Sequence, residues 1–134
     1  MTFSERVKAT ELPLDQLVVI GSGLLDQLNI RPASDIDLVV SEKLFADLVA
    51  EGSYRAIEKH GELCLERPPL EIWQSWGSGG VPNFTELYQE GQTVDEVRYV
   101  ATKTLLEQKK LRNLPKDKDD ITLLEGYNEK YGRE

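Results

Sequence analysis

Cysteine and histidine each occur once in this 134-residue chain, as Cys64 and His60, and that scarcity closes off several kinds of chemistry. A lone cysteine forms no intramolecular disulfide and builds no cysteine-rich zinc site, and a lone histidine leaves little for a His-based metal centre or triad. Positive charge is also short: 16 Lys and Arg stand against 24 Asp and Glu, a formal charge of -8. Duplex nucleic acid and anionic membranes are bound by clustered Lys and Arg, so neither is the expected partner. No apolar stretch approaches the ~20 residues that cross a bilayer, and no cationic leader with an apolar signal core is present. The expectation is a soluble, cytoplasmic protein. Internal repeats, low-complexity runs and flexible linkers are missing too. With 40% hydrophobic residues, the chain is long enough for one compact domain, residues 1–134, with a core of its own.

What is present begins with the apolar run Leu17-Val18-Val19-Ile20, which runs directly into Gly21-Ser22. A strand that ends in Gly-Ser can turn sharply and offer backbone N–H groups and a hydroxyl at the start of a helix, an arrangement that attracts phosphate. A second apolar run then carries two acids, Asp35-Ile36-Asp37-Leu38-Val39-Val40. Alternation along a strand points Asp35 and Asp37 to one face and Ile36 and Leu38 to the other. Aspartate is disfavoured in strands, so two of them here break local propensity with no evident structural gain. Paired carboxylates suit magnesium, which is normally held by one or two carboxylates plus substrate phosphates.

These residues resemble the nucleotidyltransferase superfamily of the polymerase-beta type, in particular its minimal members, including bacterial defence, toxin-antitoxin and antibiotic nucleotidyltransferases. The shared pattern is a hydrophobic strand, Gly-Ser, a helix of about a dozen residues, here Gly23 to Ser34, and Asp-x-Asp in a second hydrophobic strand. The resemblance implies an α/β (α+β) fold: a mixed β-sheet with helices packed mainly on one face. It also implies transfer of a nucleoside monophosphate from a nucleoside triphosphate, ATP being the expected one, to a hydroxyl acceptor with loss of pyrophosphate. Magnesium would sit at Asp35 and Asp37, with a third carboxylate from a later strand completing a site for a second metal or acting as base. Glu71, in Leu70-Glu71-Ile72-Trp73, is the residue expected there, and Glu66 is the next candidate.

Around these motifs, residues 2 to 16 read as one or two short helices broken at Pro13, and residues 24 to 29 as a helix with Leu24, Leu25 and Leu28 at helical spacing. Ser41 caps a helix over residues 42 to 50 whose apolar stripe is Leu44, Phe45, Leu48 and Val49. Three short strands follow, Tyr54 to Glu58, Glu62 to Glu66 and Leu70 to Trp76, parted by His60-Gly61 and Pro68-Pro69. His60 reads as surface and Cys64 as a small core residue. For Trp73 and Trp76 two readings stand: core packing, or a ring stacked on a nucleobase beside the Gly77-Ser78-Gly79-Gly80 flap.

The tail reads as a strand at Val97 to Val100 and a helical segment over about 101–131, with one helix at Lys103 to Arg112 and a last one opened by Pro115. Here the resemblance is to small members that end in a lysine helix and a Lys-Asp pair, places filled by Lys109, Lys116, Asp117 and Asp120; Leu114 stands where those members carry arginine. Lys109 and Lys116 either neutralise phosphates or form ion pairs with the two aspartates. Arg31 is a further phosphate candidate. The rival to enzymatic transfer is a weak or inactive member acting as a toxin-antitoxin or regulatory component. So short a chain has little room for an acceptor pocket, which favours a partner protein or a homodimer completing the site. The resemblance implies a toxin-like partner or a protein acceptor, or a small-molecule acceptor as in the antibiotic-modifying members.

Overall fold

A computed structural model describes residues 1–59, 61–76, 83–112 and 114–131, the side chains of Arg112 and Lys116 excepted. The readings of His60 as surface and of Gly77-Ser78-Gly79-Gly80 as a flap therefore lie outside the described residues. By its internal contacts the chain divides into two units, Met1–Val100 and Ala101–Glu134.

The first unit is built on a seven-stranded mixed sheet in the order β3-β4-β5-β2-β1-β7-β6. Its strands are β1 (Leu17–Ile20), β2 (Ile36–Val40), β3 (Arg55–Lys59), β4 (Glu62–Arg67), β5 (Leu70–Trp73), β6 (Gln92–Val94) and β7 (Val97–Tyr99). β1 runs antiparallel to β2 and parallel to β7, while β2 runs parallel to β5. Residues paired across neighbouring strands share a face. One face therefore aligns Tyr99, Val19, Leu38, Ile72 and Leu65, none more than 1% exposed, and this row is the heart of the core. The opposite face aligns Ile20, Asp37, Glu71, Glu66 and Arg55.

Helices α1 (Phe3–Lys8) and α2 (Gly23–Gln27) pack on the core face. A Cβ at Gly23 would come within 2.6 Å of both Phe3 and Val19, so only glycine lets α2 lie this close. The helix read at residues 24 to 29 is found at Gly23–Gln27, shorter than the dozen residues of the family pattern, because Asn29, at φ 61, turns the chain left-handed. The Asn29 and Ile30 amides then close back on the carbonyls of Asp26 and Leu25, at 2.9 and 2.8 Å, the Schellman arrangement that ends a helix.

After β2, Ser41 caps α3 (Glu42–Glu51) by accepting the Leu44 amide, and Gly52 closes it at φ 80. Leu44, Phe45 and Leu48 are buried as expected, but Val49 is 49% exposed, since those three already fill the inward stripe. Sequence reading missed α4 (Phe84–Glu90), although Asn83 and Glu86 form a reciprocal capping box, and missed β6, which turns into β7 through Asp95 and Glu96, both at positive φ. The second unit consists of α5 (Thr102–Arg112), a 3-10 turn at Pro115–Asp117 and α6 (Lys118–Tyr131).

A buried polar knot ties α1 and α2 to β6 and β7. The Ser4 hydroxyl lies 2.6 Å from the Tyr99 hydroxyl and 3.1 Å from the Val94 carbonyl, and Gln27 Oε1 accepts the Ser4 amide at 3.0 Å. Burial pushes the Tyr99 phenol up to about 12, against about 10 for an exposed tyrosine. As pH rises the unfolded chain loses this proton first, so the contribution to stability is intact below about pH 10 and is lost toward pH 12. We expect the unfolding free energy from urea titration to fall across that window, and to fall by on the order of 2 kcal/mol less in Tyr99→Phe. Parallel curves for parent and variant would refute this.

Candidate active site

The site starts where β1 ends. Pairing of Ile20 with Asp37 brings the Gly21 turn against the Asp37 carboxylate, and a Cβ on Gly21 would stand 3.3 Å from Asp37 Oδ2. Gly21 also sits at φ 67, a conformation glycine adopts without strain. Ser22 begins α2 but its side chain caps nothing in that helix; its hydroxyl accepts from Arg31 Nη2 at 2.9 Å. Arg31 Nη1 also donates to the Pro32 carbonyl at 3.1 Å, which fixes the guanidinium at the rim of the turn.

The loop between Arg31 and β2 is pinned from beneath. Arg6 donates to the carbonyls of Ala33 and Ser34 at 2.7 and 2.5 Å, and Asp26 Oδ2 accepts the Ala33 amide at 2.8 Å. Arg6 stands 5.1 Å from the centre of the Phe3 ring and 3.9 Å from Asp26, which holds the guanidinium in place. The next residue is Asp35, exposed and just ahead of β2, and Asp37 lies half-buried inside the strand. Ser22, Arg31, the loop of Pro32, Ala33 and Ser34, and both aspartates line a cavity of about 180 Å³. That volume falls below the ~300 Å³ of the smallest ordinary ligand pockets, so it suits phosphate groups and an ion, with sugar and base outside it.

Glu71 is aligned with Asp37 in the neighbouring strand, and Glu66 with Glu71 in the next. Like charges side by side on a sheet repel. The edge strand β3 relieves this: Lys59 Nζ donates to Glu71 Oε2 at 2.9 Å and lies 3.9 Å from Glu66, while Arg55 lies 3.9 Å from Glu66. The Glu71 hydrogen bond holds the Lys59 ammonium above the usual lysine range. Among the described residues no three His, Cys, Asp or Glu side chains gather closely enough to hold a metal ion.

The structure thus brings Ser22, Arg31, Asp35 and Asp37 to one cavity, with Gly21 against Asp37, and leaves Glu71 one strand away on Lys59. Lys109, in the second unit, is 4% exposed and lies 3.5 Å from Asp117 and 3.1 Å from Asp120, the ion-pair alternative weighed from sequence. The Lys116 side chain lies outside the described residues. Trp73 and Trp76 are both half-buried. Sequence reading missed Arg6, Asp26 and Lys59. The short strands read on either side of residues 60–61 were a usable signal for Lys59, because the antiparallel pairing of β3 with β4 puts Lys59 and Glu66 on one face.

The mixed sheet, with a Gly-Ser turn ending one strand and Asp35 and Asp37 at the start of its neighbour, is that of the nucleotidyltransferase fold. Among solved structures the chain is similar to the crystal structure of ANT(2")-Ia in complex with adenylyl-2"-tobramycin. The TM-score is 0.53 and the identity 16%, over 92% of this chain and 83% of that one. No family model and no curated protein matches the chain.

Arg6→Ala removes two hydrogen bonds to the loop ahead of Asp35, each bond from a charged donor contributing about 1.5–3 kcal/mol. We expect faster hydrogen exchange at the Ala33 and Asp35 amides with little change in the α3 amides. Uniform acceleration, or none, would count against the pin. In Gly21→Ala, the positive φ and the crowding of Asp37 are expected to lower stability by ~1–2 kcal/mol, read from thermal or urea unfolding.

Proposed function

We propose that the chain is a magnesium-dependent nucleotidyltransferase that moves a nucleoside monophosphate from a nucleoside triphosphate, ATP being the expected donor, to a hydroxyl of a small-molecule or protein acceptor. The carrying observation is the convergence of Asp35, Asp37, Ser22 and Arg31 on one phosphate-sized cavity. A triphosphate cannot enter beside two carboxylates on the strength of one guanidinium, so the donor set itself calls for a cation. Two carboxylates with room for phosphate oxygens fit magnesium. Asp35 and Asp37 would hold it. When bound, it supplies charge neutralisation to the phosphates and polarises the reacting phosphoryl group.

The protein's own groups do the rest. Gly21 lets backbone approach the phosphates, and the Ser22 hydroxyl and Arg31 guanidinium offer donors to their oxygens. Because α2 has only five residues, its dipole contributes little, and Arg31 is the chief fixed positive charge of the cavity. The acceptor oxygen forms a bond to the α-phosphorus in line as the bond to pyrophosphate breaks, and the acceptor proton passes to solvent at the open side of the cavity. An adenylyl group joined to an antibiotic in the similar solved structure supports a small-molecule acceptor.

A second reading, a regulatory member that binds metal and nucleotide without turnover, is favoured by the engagement of Glu71 with Lys59. Retained binding with no transfer to any acceptor would select it.

Calorimetric titration with magnesium and each nucleoside triphosphate is expected to give saturable binding by the parent and none by the Asp35→Asn, Asp37→Asn double variant. Absence of binding by the parent, or equal binding by both, overturns the proposal. Arg31→Ala is expected to weaken triphosphate binding about tenfold, the loss of one charge-assisted contact, while leaving the melting temperature within a few degrees.

A further inference from the structure

We propose that the Lys59 ammonium is a built-in counter-charge for the third carboxylate: by holding Glu71 it takes the place of a second divalent cation, so that the site binds a single metal ion, at Asp35 and Asp37. This rests on the reading of the aspartate pair given above.

The argument is one of charge placed in rows. Asp37, Glu71 and Glu66 stand side by side on β2, β5 and β4, separated by the ~4.8 Å spacing of paired strands. Two cations on the edge strand, Arg55 and Lys59, answer two of those acids, Glu66 and Glu71. Lys59 does so by reaching across β4, twelve residues from Glu71 in sequence, and it makes the short contact with Glu71 rather than with the nearer Glu66. The polar face thus divides into two parts. Toward β3, Glu66 and Glu71 are each met by a cation of the edge strand, and Glu62 accepts from the Ser75 hydroxyl. Toward the Gly21 turn, Asp35 and Asp37 open onto the cavity with Arg31, one cation facing two acids and an incoming polyanion.

A second ion at Glu71 would have to displace an ammonium already in hydrogen-bond contact and share the space with it. Lysine is well suited to exclude an ion in this way, as a compact point charge on a long stem that here lies along the sheet. It also fixes the Glu71 carboxylate on the side away from the aspartates, which makes Lys59 a positioning residue and not a metal competitor at the aspartates.

The test counts metal ions. The protein is dialysed to equilibrium with manganese and a non-hydrolysable adenosine triphosphate analogue, and the excess manganese in the protein compartment is divided by the excess nucleotide. The expected ratio is one for the parent and for Lys59→Arg, and two for Lys59→Met, which keeps the stem and removes the charge. Glu71→Gln is expected to leave the manganese affinity of the parent unchanged within about twofold. A parent ratio of two, or a Lys59→Met ratio of one, overturns the inference and leaves the aspartate site standing. No manganese bound by the parent overturns the aspartate reading itself. Should Lys59→Met lose its melting transition, Glu71→Gln decides alone: unchanged affinity upholds the inference, and a loss beyond tenfold makes Glu71 a ligand and overturns it.

Discussion

The pairing of Ile20 with Asp37 is the constraint on which the rest of the site depends. It sets the Gly21 turn against a carboxylate, and through the parallel β2–β5 register it also aligns Asp37 with Glu71. Nothing polar enforces that register. It is locked from the other face, where Val19, Leu38, Ile72 and Leu65 are almost wholly buried, each worth roughly 1.5–3 kcal/mol of burial. A slip of one residue would turn Leu38 outward and Asp37 into the core, so the hydrophobic effect, blind to chemistry, positions the acids.

Cations in this acidic chain are few, and their placement explains much of the polar architecture. Arg6 works beneath the site, joining α1 to the loop ahead of Asp35; Arg31 works at its rim, and Arg55 and Lys59 work along its far side. Lys109 serves the second unit, where its burial beside Asp117 and Asp120 makes it a structural pin: removing either partner type from such a buried set typically costs ~3–5 kcal/mol. The phosphate role considered for that lysine would require it to leave two carboxylates that already hold it.

Legibility followed the range of the interactions concerned. β1, β2, the Ser41 cap and the helix after it were readable because each depends on a few neighbouring residues and a strong period. The short α2 was legible from its leucine spacing, and its end falls at Asn29, an uncommon but effective substitute for glycine at a helix end. The capping box of Asn83 and Glu86 was a readable signal that went unread. Arg6 could not be read at all: its partners lie 27 and 28 residues away, and no local pattern announces carbonyl groups as a destination.

By itself the sequence determined the strand, turn and carboxylate pair, because glycine at a left-handed turn and aspartates at alternating positions act through local backbone geometry. Only the tertiary structure decided which partner each remaining charge would take. Glu71 faces Asp37 in register yet bonds to Lys59, two strands away, and of the two readings open for Lys109 the packing of the second unit selects the ion pairs with Asp117 and Asp120, because sheet register and helix packing choose among partners that the sequence leaves open.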